Sequence, residues 1–317
     1  MNDLHDFRIN DSWITASRGK KNRVDPQKPY AWLIEKERTP SGRIEDFGVI
    51  FLTNSECPFR CLMCDLWKNT TDKAVPAGAV PLQIEWALKK FPAVKHLKLY
   101  NSGSFFDTRA IPEEDYEKIA SLLMDFDTVI VESHPRLINK KCLAFRDMLK
   151  PELQIALGLE VASPEIIEKL NKQMTLKDFI NAVSFLSQNR ILSRAFILLR
   201  PPFLTESEGI YWAEGSLDFA FKSGVECCTI IPVRAGNGAM DILMKKGFFA
   251  PPSIRSLETV LEYGINLKAG RVFADVWDLN RFSSCTKCID QRYNRLLTMN
   301  LHQEILPAID CTCDQSQ

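Results

Sequence analysis

The chain has 317 residues, 45% apolar and 25% charged, and its 40 basic and 40 acidic side chains cancel. That balance excludes a global field toward nucleic acid or a membrane, and the apolar share excludes a disordered chain. No run approaches the roughly 18 apolar residues of a spanning helix, and the opening Met-Asn-Asp-Leu-His-Asp lacks a positive start before an apolar core, so a soluble, cytoplasmic protein is expected. Ten cysteines in such a chain point to metal ligation in a reducing compartment rather than to disulfides.

In chain order, residues 1–45 are polar and punctuated by proline, with Tyr30-Ala31-Trp32-Leu33-Ile34 as a helical or extended lead-in. The basic run Arg18-Gly19-Lys20-Lys21-Asn22-Arg23 reads as a surface tail, with an RNA contact as the alternative. Strands are predicted at 47–53, 94–100, 128–132, 153–161, 194–199 and 227–233. Helices are predicted between them at 81–90, 113–124, 140–149, 163–170, 176–188 and 205–222. Pro112 ahead of Glu113-Glu114-Asp115, and Ser163-Pro164-Glu165, supply helix starts. Six βα units in series predict a parallel sheet that curls with one hand. The expected fold is therefore α/β, a partial (β/α)6 TIM-like barrel over 46–234, with 1–45 as an N-terminal extension and 235–317 as a small Cys-containing C-terminal region.

The loop after the first strand of that barrel carries Glu56-Cys57-Pro58-Phe59-Arg60-Cys61-Leu62-Met63-Cys64. Its Cys-x3-Cys-x2-Cys spacing supplies three thiolates and no fourth. A structural zinc takes four protein ligands, whereas a cubane iron–sulfur cluster held by three leaves one iron open. A partial zinc site or scattered thiols is the bland alternative. A barrel places its chemistry at the strands' C-terminal ends, and each of these yields a candidate. After the second strand, Asn101-Ser102-Gly103-Ser104 lets backbone approach a polar ligand, with hydroxyls to bond it. Glu132 and His134 end the third, a carboxylate beside an imidazole that would orient a substrate or shuttle a proton, or else a capped turn. Glu160 ends the fourth as an acceptor for hydroxyl or ammonium groups, or as a salt-bridge partner of the next helix. Arg200, ahead of two prolines, ends the fifth and suits a carboxylate; Val233 and Arg234 end the sixth, in a glycine-punctuated turn. At the far end, Cys285, Cys288, Cys311 and Cys313 form a closed set of four, suited to zinc or an auxiliary cluster and joined across a helix-like stretch at 292–306. Cys142, Cys227 and Cys228 read as core.

The three-cysteine loop resembles the cluster loop of the radical S-adenosylmethionine (SAM) superfamily. The strings Tyr100-Asn101-Ser102-Gly103-Ser104-Phe105-Phe106-Asp107 and Glu132-Ser133-His134-Pro135-Arg136, with the C-terminal cysteines, are similar to the branch containing the radical SAM subunit of archaeosine synthase and, more distantly, the elongator catalytic subunit. Two departures stand out: the superfamily's usual Gly-Gly-Glu lacks its acidic residue at 101–104, and Met63 replaces the common aromatic residue. The resemblance implies a [4Fe-4S] cluster on Cys57, Cys61 and Cys64. It implies SAM held by Met63, Asn101, Ser102, Gly103, Ser104, Glu160, Arg200 and Val233, with Glu132, His134 and Arg234 turned to substrate. The implied activity is reductive cleavage of SAM to a 5′-deoxyadenosyl radical that takes hydrogen from a (deaza)purine or transfer-RNA nucleoside. The electron would come from a flavodoxin- or ferredoxin-type donor, with no membrane or DNA partner. A small-molecule or protein substrate stays open, as does a non-catalytic, zinc-stabilised interaction module.

Overall fold

One sheet takes its eight strands in chain order: β1 (Ala31–Arg38), β2 (Ile44–Leu52), β3 (His96–Asn101), β4 (Thr128–Ser133), β5 (Glu152–Glu160), β6 (Leu192–Leu199), β7 (Cys227–Pro232) and β8 (Arg271–Ala274). β1 runs antiparallel to β2, and every later neighbour is parallel. The helices are α1 (Asp11–Ala16), α2 (Ala79–Leu88), α3 (Tyr116–Leu122), α4 (Lys140–Met148), α5 (Pro164–Lys169), α6 (Leu176–Gln188), α7 (Glu206–Lys222), α8 (Ala239–Lys245), α9 (Ile254–Leu267) and α10 (Ile289–His302). This computed structural model describes residues 9–283 and 285–315, so the opening hexapeptide lies outside the described residues. No helix among the described residues is long and apolar enough to cross a membrane.

The curled α/β partial barrel is the fold expected from the sequence, and the six predicted parallel strands are all present. The sheet runs further at both edges. The lead-in at 30–34 opens β1, whose inward residues include Glu35 and Glu37, so the strand lacks the apolar alternation that would have marked its length. β8 has only four residues and follows Lys268, in the left-handed conformation that ends α9. The boundaries at 45/46 and 234/235 therefore do not mark the ends of the sheet. α8 and α9 also fill a stretch for which the sequence suggested no elements.

Alternate residues of a strand face opposite ways, and here the two faces differ in kind. Ile50, Leu52, Leu97, Leu99, Val129, Val131, Ile155, Leu157, Ala195 and Ile197 join the helices in the main core. Cys142, Cys227 and Cys228 are buried as expected. The inner face is mixed. Phe47, Ile130 and Ala156 cluster there with Tyr100 and Phe196. Nearer the strands' N-terminal ends lies a buried ionic floor. Lys98 Nζ donates to Glu35 at 2.6 Å and to Glu37 at 2.5 Å, and Arg194 forks onto Glu37 and reaches Gln154 at 3.3 Å. Burial would raise the Glu37 carboxyl, but Arg194 and Lys98 outweigh it and hold the group well below the carboxylate range.

α10 lies against both β1 and β8, across the seam between the sheet's two edges. Its amides bond the free edge of β8 as a further strand would: Asn300 accepts from Ala274 N–H and donates to Ala274 C=O, both at 2.8 Å, while Gln303 does the same at Val272, both at 2.7 Å.

Candidate active site

The loop carrying Cys57, Cys61 and Cys64 leaves β2 and is clamped from four sides. Asn237, after β7, donates to Leu62 C=O at 2.8 Å and Cys64 C=O at 3.1 Å. After α5, Leu170 C=O accepts from Leu62 N–H at 2.9 Å, and Asn171 donates to Arg60 C=O at 2.7 Å. After β3, Gly103 lies against Cys57 so closely that a Cβ on it would sit 3.2 Å from Cys57 Cβ and 3.4 Å from Cys57 Cα. The fourth clamp is the N-terminal segment. Glu56 pairs with Arg18 at 2.5 Å and Lys21 at 3.5 Å, while Arg18 also lies 4.9 Å over the Trp67 ring. The basic run is thus no free tail: Arg18 and Lys21 strap the chain's start to the cysteine loop, because Glu56 offers them a half-buried counter-charge. Lys20 and Arg23 stay exposed.

Burial pushes the Cys57, Cys61 and Cys64 thiols up to about 12, and the ammonium of Lys172 opposes that rise. Lys172 is 6% exposed and forms an ion pair with Glu160. Burial would lower its pKa, but Glu160 and Cys61 raise it above the ordinary lysine value. Glu160 therefore ends β5 in a left-handed turn (φ 68°) as the partner of a lysine beside the thiols. Glu132 accepts from Asn101 N–H at 2.6 Å, and desolvation raises its carboxyl to about 8. His134 caps the turn after β4. Its Nδ1 accepts from Arg136 N–H at 3.2 Å, so Nε2 carries the proton and donates to Lys172 C=O at 3.0 Å. The ring stacks on Phe59 of the cysteine loop, 3.7 Å between centroids, and burial lowers its pKa to about 3. Of the two readings of His134, the structure places it in the capped turn, with both ring nitrogens engaged.

The other candidates have partners of their own. Arg200 forms an ion pair with Glu206 at the start of α7 and donates to Pro251 C=O at 2.9 Å. Arg234 donates to Asp275 at 2.7 Å and Trp277 C=O at 2.8 Å, beside β8. Val233 is buried with its N–H on Leu199 C=O at 3.2 Å, and Met63 packs half-buried against the core. Ser104 Oγ accepts from His134 N–H at 2.8 Å, and Ser102 N–H donates to Asn54 at 3.2 Å. Cys285, Cys288, Cys311 and Cys313 come together, all four sulfurs within 4.8 Å of one another, a set that could hold a metal ion.

Whether the site suits a cluster and SAM is tested by Asn101. It is 1% exposed, yet neither Nδ2 nor Oδ1 has a partner. A buried amide left so costs about 1–3 kcal/mol, which a polar ligand would relieve. Three thiols on one short loop, with an unsatisfied amide from the adjoining strand end, fit the expected group. Lys172 and Asn237 escaped sequence reasoning. Each is one polar residue in a loop, and only folding carries it to the cysteines.

No family model matches the chain. An uncharacterized protein of Methanocaldococcus jannaschii is 28% identical over 260 residues, 77% of this chain and 71% of that protein. Archaeosine synthase subunit beta of Methanosarcina acetivorans is 25% identical over 216 residues, 63% of this chain and 60% of that one. Among solved structures, Elp3 of Methanocaldococcus infernus, lacking its N-terminus, aligns with a TM-score of 0.52 at 15% identity, covering 80% of this chain and 63% of that one. The curled sheet is a fold shared with that Elp3 structure, and the stretch that includes the cysteine loop is similar in sequence to archaeosine synthase beta subunits, which supports the radical SAM assignment expected from the sequence. The chain spans about 60% of the length of the Methanosarcina subunit and about half that of the Thermococcus kodakarensis one, which is also 25% identical.

Proposed function

We propose that the protein is a radical SAM enzyme that modifies a purine or deazapurine nucleoside, free or within transfer RNA. The observation that carries the chemistry is the clamped three-cysteine loop set beside the unsatisfied Asn101 amide. Cys57, Cys61 and Cys64 would hold a [4Fe-4S] cluster, and Asn101 would contact SAM. Bound there, cluster and SAM would supply, by one-electron reductive cleavage, methionine and a 5′-deoxyadenosyl radical that takes a hydrogen atom from a substrate C–H bond. The chain's own share is to orient and to exclude water. Gly103 lets the β3 turn press on the cysteine loop, Lys172 sets a fixed positive charge beside the thiolates, and Asn237 holds the loop's carbonyls. A flavodoxin- or ferredoxin-type protein would deliver the electron.

The substrate class rests on relationship to archaeosine synthase subunit beta. The test is anaerobic reconstitution with iron and sulfide, then dithionite and SAM, with and without transfer RNA and free nucleosides. 5′-Deoxyadenosine from the wild type and none from Cys61→Ala is the expected result. Equal yields from both would overturn the chemistry. Deuterium from labelled nucleoside appearing in 5′-deoxyadenosine supports the substrate class, and its absence with every nucleoside and RNA tried overturns that class alone.

A further inference from the structure

Above the ionic floor, the inner face of the sheet carries a row of aromatic rings. Phe51 turns to this face because Ile50 and Leu52, on either side of it, pack into the main core. Its ring centroid lies 5.7 Å from Tyr30, 6.2 Å from Tyr100 and 6.2 Å from Trp277, and Tyr100 lies 6.2 Å from Phe196. The interplanar angles of these pairs run from 41° to 77°, so none is a face-to-face stack. Thr229 of β7 joins the same face. It pairs in register with Phe196 of β6 and Phe273 of β8, while Cys228 and Ile230 beside it enter the main core. Its Oγ1 is buried without a hydrogen-bond partner among the described residues, an unfavourable state that a polar ligand would relieve. Trp277, just after β8, is the outermost ring and is 50% exposed. A lone exposed aromatic side chain is ordinary, but the backbone under this one is fixed. Asp275 N–H donates to Ile230 C=O at 2.8 Å, and Trp277 N–H donates to Asp275 Oδ1 at 2.9 Å. Arg234 completes the frame by donating to Asp275 Oδ2 at 2.7 Å and Trp277 C=O at 2.8 Å.

Taking the nucleoside substrate above as given, we propose that Trp277 is the platform on which the substrate's heteroaromatic ring stacks, with Phe51 at the platform's inner edge and the Thr229 hydroxyl deeper in the curl. The surroundings suit a flat ligand with a polar rim. Aromatic side chains offer such a ring a stacking face whatever its exact substituents, and one spare hydroxyl meets a ring nitrogen or carbonyl. A charged ligand finds less here, because the nearest cation and anion, Arg234 and Asp275, are already paired with each other. An aliphatic ligand would leave the Thr229 hydroxyl unmet. Because the backbone of Trp277 is held before any ligand arrives, little ordering is left to oppose binding. The seam also gives the indole its reach: Trp277 follows β8 and Phe51 ends β2, so the pair closes the gap between the sheet's two edges at the end where the cysteine loop lies.

The experiment titrates full-length protein, reconstituted with iron and sulfide, with guanosine and 7-deazaguanosine under argon. S-adenosylhomocysteine takes the place of SAM, since a thioether is not cleaved to the radical. The dissociation constant should rise about tenfold or more in Trp277→Leu and less than about threefold in Trp277→Phe, which keeps a ring. Equal affinity in wild type and Trp277→Leu overturns the platform, as does wild type that binds neither nucleoside. Equal losses in both variants, with a lowered urea midpoint in each, overturn it too, because the indole would then serve only to close the seam. Bound nucleoside should also shield wild-type tryptophan emission from acrylamide, and should not do so in Trp277→Phe. That comparison decides the matter if Trp277→Leu fails to fold. None of these measurements requires SAM cleavage. Wild type that binds nucleoside through Trp277 yet makes no 5′-deoxyadenosine keeps the platform and loses the radical chemistry; wild type that makes 5′-deoxyadenosine but binds alike without the indole keeps the chemistry alone.

Discussion

Lys172 is the one ammonium buried against Glu160 and the cysteine loop among the described residues, and nothing in the string Asn171-Lys172-Gln173 announces it. Asn171 and Gln173 take left-handed backbone (φ 51° and 55°), which turns the loop between α5 and α6 back to the barrel mouth. Glu160, by contrast, was legible, because a carboxylate closing an apolar strand must find a partner; only the partner's identity needed the fold. Lys172→Met leaves that carboxylate buried without a counter-charge and should cost about 3–5 kcal/mol in urea unfolding. Adding Glu160→Gln should return most of the loss, and an undiminished loss in the double variant would refute the pairing. Glu132 and His134 make a second prediction at this scale. Glu132 titrates near 8 in the fold against 4.5 in the unfolded chain, so it withdraws stability as pH rises through that window. His134 titrates near 3 against 6.5, so it withdraws stability as pH falls from 6.5 toward 3. Urea midpoints should therefore fall less steeply for Glu132→Gln as pH rises from 4.5 to about 8, and less steeply for His134→Gln as pH falls from 6.5 to about 3, than for wild type.

Elements were legible where a cap or an apolar period spoke locally. Residues 176–188 fold as a helix over the predicted span, behind a capping box of Thr175 and Asp178, and Thr205 with Glu208 starts α7 the same way. The N-terminal segment gave no such signal, since its contacts are ion pairs across some forty residues of chain and a backbone crossing at Gly238. At Gly238, φ is 88° and a Cβ would run into Ser17 C=O. Gly238→Ala should therefore lift the strap while leaving the sheet intact. Trypsin would then cut faster after Arg18, Lys20, Lys21 or Arg23, with unchanged circular dichroism. Wild-type cleavage rates in the variant would mean that the strap is held without this crossing.

For the molecule as a whole, the rule that a βα series carries its chemistry at the strands' C-terminal ends led to Asn101, Glu132 and Glu160, and the fold brings these near the cysteines. Arg200 and Arg234 followed the same rule, yet each is held by a carboxylate, Glu206 and Asp275, that sequence could not pair with it. What stayed hidden was closure: β1 and β8 as the sheet's edges, α10 across their seam, and charges within the curl. The ionic floor of Glu37, Lys98 and Arg194 has a consequence for traffic. With paired charges filling the inner face at that end of the curl, a molecule taken by the proposed reaction would approach from the opposite rim, beside the cysteine loop.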